Sequence, residues 1–543
     1  MRLMSALDKV LLDVEPIERP EDREITGFRN EVLSFQVAYA IAEGPPRDHV
    51  TLRIESPIAP LVRVRMVKHV PVPFPAMHDA DENLISRRPG LFPDRLEALG
   101  EHRLRAYHGL WHSLWIDVEP GAAPGRYSID VTLSTEAGEA LASRTQWVEV
   151  LPAELPEQKL IHTKWFHADC LATHYGVDVF SEDHWRIMEN FMRAAARRGI
   201  NMILTPIHTP PLDTRVGCER PTAQLVDVYV DGGAYGFGFK NLDRWVATAK
   251  RAGMKYFEMA HLFTQWGANF APKIVARVDG EVRRIFGWDT PASGEAYHAF
   301  LAAYLPAVAD RLRALGVADS TYFHISDEPG FEHMDSYLAA KAGAAPYLQG
   351  FPIIDALSDF AFYQRGAVQK PIPANDHIEP FLEAGVPGLW TYYCVGQYKS
   401  VSNMFMAMPS ARNRILGAQL YKFGIEGFLH WGYNFYYAQY ADYPVDPYCV
   451  TDADGFAPSG DAFQVYPRAD GQPEESIRMM VTAQAIYDMR ALEMLEALAG
   501  REAALAVLEH GLCEPIRFDR YPASARWLLD MRRRVNREIT ARL

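Results

Sequence analysis

The chain has 543 residues, a formal net charge of −14, and a composition that is 48% hydrophobic, 23% charged and 12% aromatic. That length exceeds what a single core usually fills, so two or three domains are expected. The acidic balance, with a sequence pI ≈ 5.7, argues against a nucleic-acid or anionic-membrane partner. The five cysteines, at positions 170, 218, 394, 449 and 513, are odd in number and form no C-x-x-C pair, so neither a disulfide framework nor a zinc ribbon is indicated. Charges break the first residues too early for a signal peptide, and no apolar run reaches membrane-spanning length. The expectation is a cytoplasmic protein with no membrane partner.

Residues 1 to 152 read as all-β. Leu33, Phe35, Val37 and Tyr39 alternate with small or polar residues, as do Val62, Val64 and Met66, then Leu114, Ile116 and Val118, then Tyr127, Ile129, Val131 and Leu133. Period-2 patterning marks strands with one buried face. Strands without intervening helices predict a β-sandwich. Trp111 and Trp115 fit core packing best. Pro152 to Gln158 reads as a linker.

From residue 159 to about 440 the pattern becomes strand, then helix, repeatedly. Strands are expected at Leu160–Phe166, Asn201–Ile207, Tyr256–Phe263, Tyr322–Ile325, Phe351–Leu357, 369–376, Gly388–Val395 and Gly427–Tyr436. Helices are expected from Ser181 to about Gly199, over Asn241–Gly253, over Tyr297–Leu315 with a kink at Pro306, and over Ser410–Phe423. One insertion carries a hairpin at Asp231-Gly232-Gly233, and a second covers residues 267 to 293. About eight such repeats are what a (β/α)8 TIM-like barrel requires, with its working residues on the loops that follow the strands. Residues 441 to 543 read as a loop and a C-terminal helical extension. The basic run at 532 to 534 reads as a solvated helix face.

The stretch S-T-Y-F-H-I-S-D-E-P-G (320 to 330) is the most informative one. A short apolar strand ends in Asp327 and Glu328, followed by a Pro-Gly stop. Successive side chains along a strand point to opposite faces. The two acids can share one cleft only where the backbone turns, which is where the strand ends. His167, His208, His261, Tyr392, Trp431 and Asn434 also fall at or near strand ends, which favours an acid/base site over a solvated turn.

H-I-S-D-E-P (324 to 329), W-T-Y-Y-C (390 to 394), G-F-L-H-W-G-Y-N (427 to 434) and Y-P-R-A-D-G-Q-P-E-E-S-I-R (466 to 478) together resemble glycoside hydrolase family 123 and its wider relatives. The resemblance covers residues 150 to 495. It implies an exo-acting, retaining β-N-acetylgalactosaminidase with substrate-assisted catalysis and no cofactor or metal. Its partner would be a carbohydrate with a terminal β-linked GalNAc. Glu328 would be the general acid/base, and Asp327 would orient the 2-acetamido group that attacks the anomeric carbon. Tyr392 would bond the acetamide oxygen and Trp431 would floor the sugar ring. Asn434, His261, His167 and Trp390 are further candidate sugar contacts. Substrate-assisted hydrolysis is a known departure from the scheme of two flanking carboxylates.

Two other readings stay open. A glycosidase acting on a sugar without an acetamido group needs a facing carboxylate, for which Asp169, Asp355 and Asp376 are candidates. Its distance from Glu328 would be about 5 Å for retention and about 6.5–9.5 Å for inversion. A non-catalytic sugar-binding protein would keep the barrel and its aromatics. The strand-end histidines 167, 208, 261 and 324 lack H-x-H or H-E-x-x-H spacing, so they do not point to a metal. Epimer choice, linkage and homo-oligomer formation stay open.

Overall fold

The computed structural model describes residues 1–100 and 103–543. The chain is multidomain, with several separate sheets.

Two five-stranded sheets come first. One runs in the order Arg2–Ser5, Leu33–Tyr39, His112–Val118, Val62–Val72, Gly90–Ala98. The other runs Glu24–Phe28, Ala140–Leu151, Gly125–Ser134, Arg47–Glu55, Arg103–Ala106. Phe35, Val37, Leu114 and Ile116 of the first share a core with Ile129, Val131 and Val148 of the second. Leu33–Tyr39 departs from the alternation expected, because every residue in it is buried. Its polar face is covered and bonded: Gln36 donates to the Ser5 and Asp8 carbonyls, and Ser34 donates to Asp117. Trp115 faces away from this core and joins the larger one that fills the rest of the molecule.

Eight short parallel strands follow: β1 (Ile161–Lys164), β2 (Met202–Thr205), β3 (Tyr256–Met259), β4 (Thr321–Tyr322), β5 (Ile354–Ala356), β6 (Lys370–Ile372), β7 (Trp390–Tyr392) and β8 (Gly427–His430). Six of them form one curled sheet in the order β4-β3-β2-β1-β8-β7, while β5 and β6 pair separately. Single parallel bridges, Phe323 to Ile353 and Ala374 to Tyr392, lie at the two junctions. The strands are shorter than expected because their ends turn into loops early.

Helices lie between successive strands. Glu182–Arg197 starts at Ser181, whose side chain accepts from the His184 amide, and buries Trp185, Met188, Met192 and Ala195. Glu295–Ala314 runs through Pro306 as one helix. Ser410–Phe423 is buried along nearly its whole length, because it lies against Ile477–Ala499. Gly417 allows that approach, since a Cβ there would meet the Ala485 carbonyl oxygen at 1.9 Å. The two insertions pair with each other. Asp227–Asp231 and Ala234–Gly238 join Ile274–Val278 and Glu281–Phe286 in a four-stranded sheet.

The segment after β8 ties the first sheets to the rest. Glu475 is held by Arg65 at 2.5 Å and by Arg198 at 2.7 Å, and Asp94 by Arg478 at 2.8 Å and by the Tyr466 hydroxyl at 2.6 Å. All of these side chains are buried. The two arginines hold the Glu475 carboxyl well below the usual range, against the cost of burial. The Y-P-R-A-D-G-Q-P-E-E-S-I-R stretch is therefore an internal clasp. No helix among the described residues is long and apolar enough to cross a membrane.

Candidate active site

The chain beyond β4 makes the turn that the acid pair needs. Glu328 has φ = 43°, a left-handed conformation that few non-glycine residues adopt. Its amide donates to the Ala356 carbonyl at 3.0 Å, and the Asp327 carbonyl accepts from the Trp266 amide at 2.9 Å. This twist brings two adjacent carboxyls, which a strand would send to opposite faces, to one wall. Trp266 and Asp213 on neighbouring loops also have positive φ, at 56° and 39°. Residues elsewhere, such as Phe180, Asp279 and Ser400, share this conformation, but at these three positions it aims side chains into one cleft.

The cleft that results holds about 590 Å³ of space, counting the open solvent at its mouth. Asp327, Glu328, Asp213 and Gln265 supply polar groups, while Trp165, Trp266, Tyr392, Leu429, Trp431 and Phe456 supply apolar walls. The Tyr392 hydroxyl donates to Glu328 Oε1 at 2.6 Å. Trp431 is fixed by its indole N–H, which donates to Asp461 Oδ2 at 2.8 Å.

Burial raises both acids of the pair. Asp327 goes well above the ordinary carboxylate range, through desolvation first and then the Glu328 charge, with His324 opposing. Glu328 is also raised by desolvation, with the Tyr392 hydrogen bond opposing. Each acid shows some surface to the cleft, but protein fills most of the space around it, so solvent compensates little. Because each carboxyl feels the other's charge, the two do not ionise independently. Burial also pushes Asp213 up to about 6.

Four of the other residues singled out in the sequence lie away from the cleft lining. His167 is buried, bonded to the Trp431 carbonyl at 2.9 Å and to Arg220 at 3.2 Å. Asn434 is spent on the His167 backbone, at 2.9 and 3.0 Å, which joins the ends of β1 and β8. Trp390 is inward-facing but one layer below Tyr392, packed in the space that Gly427 leaves. His261 is wholly buried and stacks on His324 at 4.2 Å. A period of two sets which side chains face inward, but their depth decides which of them reach a ligand.

The facing aspartates considered from sequence are engaged elsewhere. Asp169 pairs with Arg220 at 2.8 Å, and Asp355 accepts from Tyr337 at 2.5 Å and from the Ile325 amide at 2.9 Å. Asp376 bonds His377 at 2.7 Å and Gln397 at 3.0 Å. Asp213, Trp266 and Asp461 were not foreseen. Asp213 follows His208 in a loop with no motif, and Asp461 sits beyond β8 where chain order gives no cue.

Donor atoms of His261, His324 and Asp355 lie within 4.8 Å of one another. The two imidazoles are stacked at an interplanar angle of 23°, however, so their in-plane lone pairs run side by side instead of converging on a point. The set reads as an ion-pair row.

Parallel strands curled into one sheet, with two carboxyls at a strand's C-terminal end and aromatic walls around them, suit acid/base chemistry on a sugar. The sequence profile described as "Glycoside hydrolase 123, catalytic domain" matches residues 165–495, and the chain belongs to that family. A family 123 glycoside hydrolase from Clostridium perfringens has a similar structure, with a TM-score of 0.75 at 16% identity over 99% of this chain and 97% of that one. A Thermobacillus composti GH10 xylanase aligns at a TM-score of 0.31 and 14% identity, over 60% of this chain and 97% of that one. No curated protein sequence matches the chain.

Proposed function

We propose that the protein is an exo-acting, retaining β-N-acetylgalactosaminidase that uses substrate-assisted catalysis. Glu328 protonates the glycosidic oxygen. Asp327 bonds the acetamido N–H and balances the positive charge that grows on that group. The acetamido oxygen attacks the anomeric carbon and forms an oxazolinium ion, which water deprotonated by Glu328 then opens. The observation that carries this reading is the Asp327–Glu328 pair on one cleft wall with Tyr392 bonded to Glu328. An enzyme whose nucleophile is in the substrate needs a held proton and a nearby anion; burial raises Glu328, which suits the first task, while His324 opposes the rise at Asp327, which favours the second. When substrate binds, the Tyr392 hydroxyl turns to the acetamide oxygen, and Glu328 then keeps its proton. Trp431 packs beneath the sugar ring. The Clostridium perfringens relative is described in terms of glycolipid glycan hydrolysis, which fits a terminal sugar as the target.

The same reading takes residues 1–152 as a β-sandwich and residues 159–440 as a (β/α)8 barrel whose ring closes through the two single bridges. Residues 441–543 are an extension packed on both.

Asp213 supports a second reading, since it is a further carboxylate in the same cleft. A sugar without an acetamido group would use it as nucleophile or base. Hydrolysis of nitrophenyl β-glycosides of GalNAc, GlcNAc and galactose separates the two. Cleavage of the GalNAc substrate, lost by at least about 10³-fold in Glu328→Gln and retained in part by Asp213→Asn, is expected. Cleavage of the galactoside at a comparable rate, abolished by Asp213→Asn, would overturn the acetamide mechanism.

A further inference from the structure

Beneath the acid pair, three adjacent strand ends carry a charged row. Glu258 of β3, His324 just after β4 and Asp355 of β5 lie side by side, all fully buried. His324 Nε2 is 3.0 Å from Glu258 Oε2, and its Nδ1 is 3.4 Å from Asp355 Oδ1. The carboxylates are anchored in turn: Glu258 accepts from Thr163 and from the Trp165 indole at 3.3 Å, and Asp355 from Tyr337 and the Ile325 amide. Only Nε2 is hydrogen-bonded, to Glu258, and Nδ1 has no hydrogen-bond partner, but carboxylate oxygens 3.0 and 3.4 Å from the two nitrogens favour the charged imidazolium.

We propose that His324 is a positioning residue, charged at neutral pH, that biases Asp327 of the pair toward its anion. The inference rests on the reading of Asp327 and Glu328 as the acid pair. It does not depend on the acetamido substrate.

The groups around the pair act in opposite directions. Asp327 is faced by Glu328, His324, Asp355 and Asp213. Glu328 is faced by Tyr392 and Asp461. Tyr392 donates to Glu328 and so favours the anion there, which would leave the proton on Asp327, the wrong acid for protonating a leaving group. The His324 cation pulls the other way, favouring the anion on Asp327, and so limits how far burial and the Glu328 charge raise that acid. The two carboxylates flanking His324 push its own pKa up to about 9, against burial. His261, stacked on it, is held neutral by burial and by the His324 charge.

The test has two arms. Wild-type His324, followed by 15N imidazole shifts, should stay doubly protonated at pH 7, and Glu258→Gln should lower its midpoint. In pH–rate profiles on any glycoside the enzyme cleaves, His324→Gln should move both limbs upward by about one pH unit and lower the plateau roughly tenfold, whereas Glu258→Gln, which removes an anion and leaves the cation in place, should move them downward. A purely structural role would lower the rate and leave the limbs in place. A neutral His324 at pH 7, or unmoved limbs in a folded variant, would overturn the proposal. If His324→Gln does not fold, Glu258→Gln and the wild-type titration decide. If no galactosaminide is cleaved, the function reading fails while the imidazole titration still answers.

Discussion

At the residue scale, the decisive feature is one backbone angle. Asp-Glu-Pro is a common tripeptide, and it becomes a site because Glu328 turns left-handed and its carboxyl meets Tyr392. Tyr392→Phe removes a donor to the Glu328 anion, so the Glu328 pKa should rise further. The basic limb of the pH–rate profile should move to higher pH, with kcat on a GalNAc glycoside down by about 10- to 100-fold through loss of the acetamide contact. A profile with unchanged limbs would mean that this hydrogen bond is absent in solution. Asp327, Glu328, Tyr392 and Trp431, which the sequence places at or near strand ends, do line one cleft, because a strand end is a local feature. The sequence held no cue to Asp213, which lines the cleft, or to Asp461, which is buried and holds Trp431, because tertiary folding alone brings their loops there. It overreached at Asn434 and His167, which face each other and satisfy their own polar groups.

At the element scale, the repeat of strand and helix was readable from hydrophobic periodicity, including Ser410–Phe423 as a helix and the hairpin at Gly232-Gly233. The pairing of the two insertions into one sheet was not, since register between distant segments has no local signal. Close approach is equally silent in sequence. Gly417→Ala should destabilise the protein by at least about 1–3 kcal/mol, because the Cβ would meet backbone and two packed helices would have to part. Thermal melting would register this as a lower Tm, and an unchanged Tm would show that the helices lie farther apart. The charged row across β3, β4 and β5 has its own pH signature. His324 is raised by its carboxylates, so its contribution to stability is complete below about pH 6.5, its unfolded value. That contribution falls away as pH rises toward about 9. Denaturant midpoints measured between pH 6 and pH 10 should decline over that window, and less so in Glu258→Gln.

At the scale of the whole molecule, the clasp matters most. Glu475 lies between Arg65 of the first sheets and Arg198 beside the ring. Removing one partner of a buried charge group typically costs about 3–5 kcal/mol, since the others stay buried and unpaired. Glu475→Gln should lower the Tm and split one calorimetric transition into two, the first sheets separating from the ring. A single transition at the wild-type temperature would mean that apolar contact alone holds the halves. Trp115 adds to the bond by packing into the larger core from the first sheet's outer face.

The same clasp limits where this chain can be shortened. A fragment trimmed to the span that the family profile recognises, 165–495, would keep Glu475, Arg198 and Arg478 but discard Arg65 and Asp94. It would also bare the apolar floor on which Trp115 rests. Such a fragment should express as insoluble material although every cleft residue is present, whereas co-expression with residues 1–152 as a separate polypeptide should rescue it.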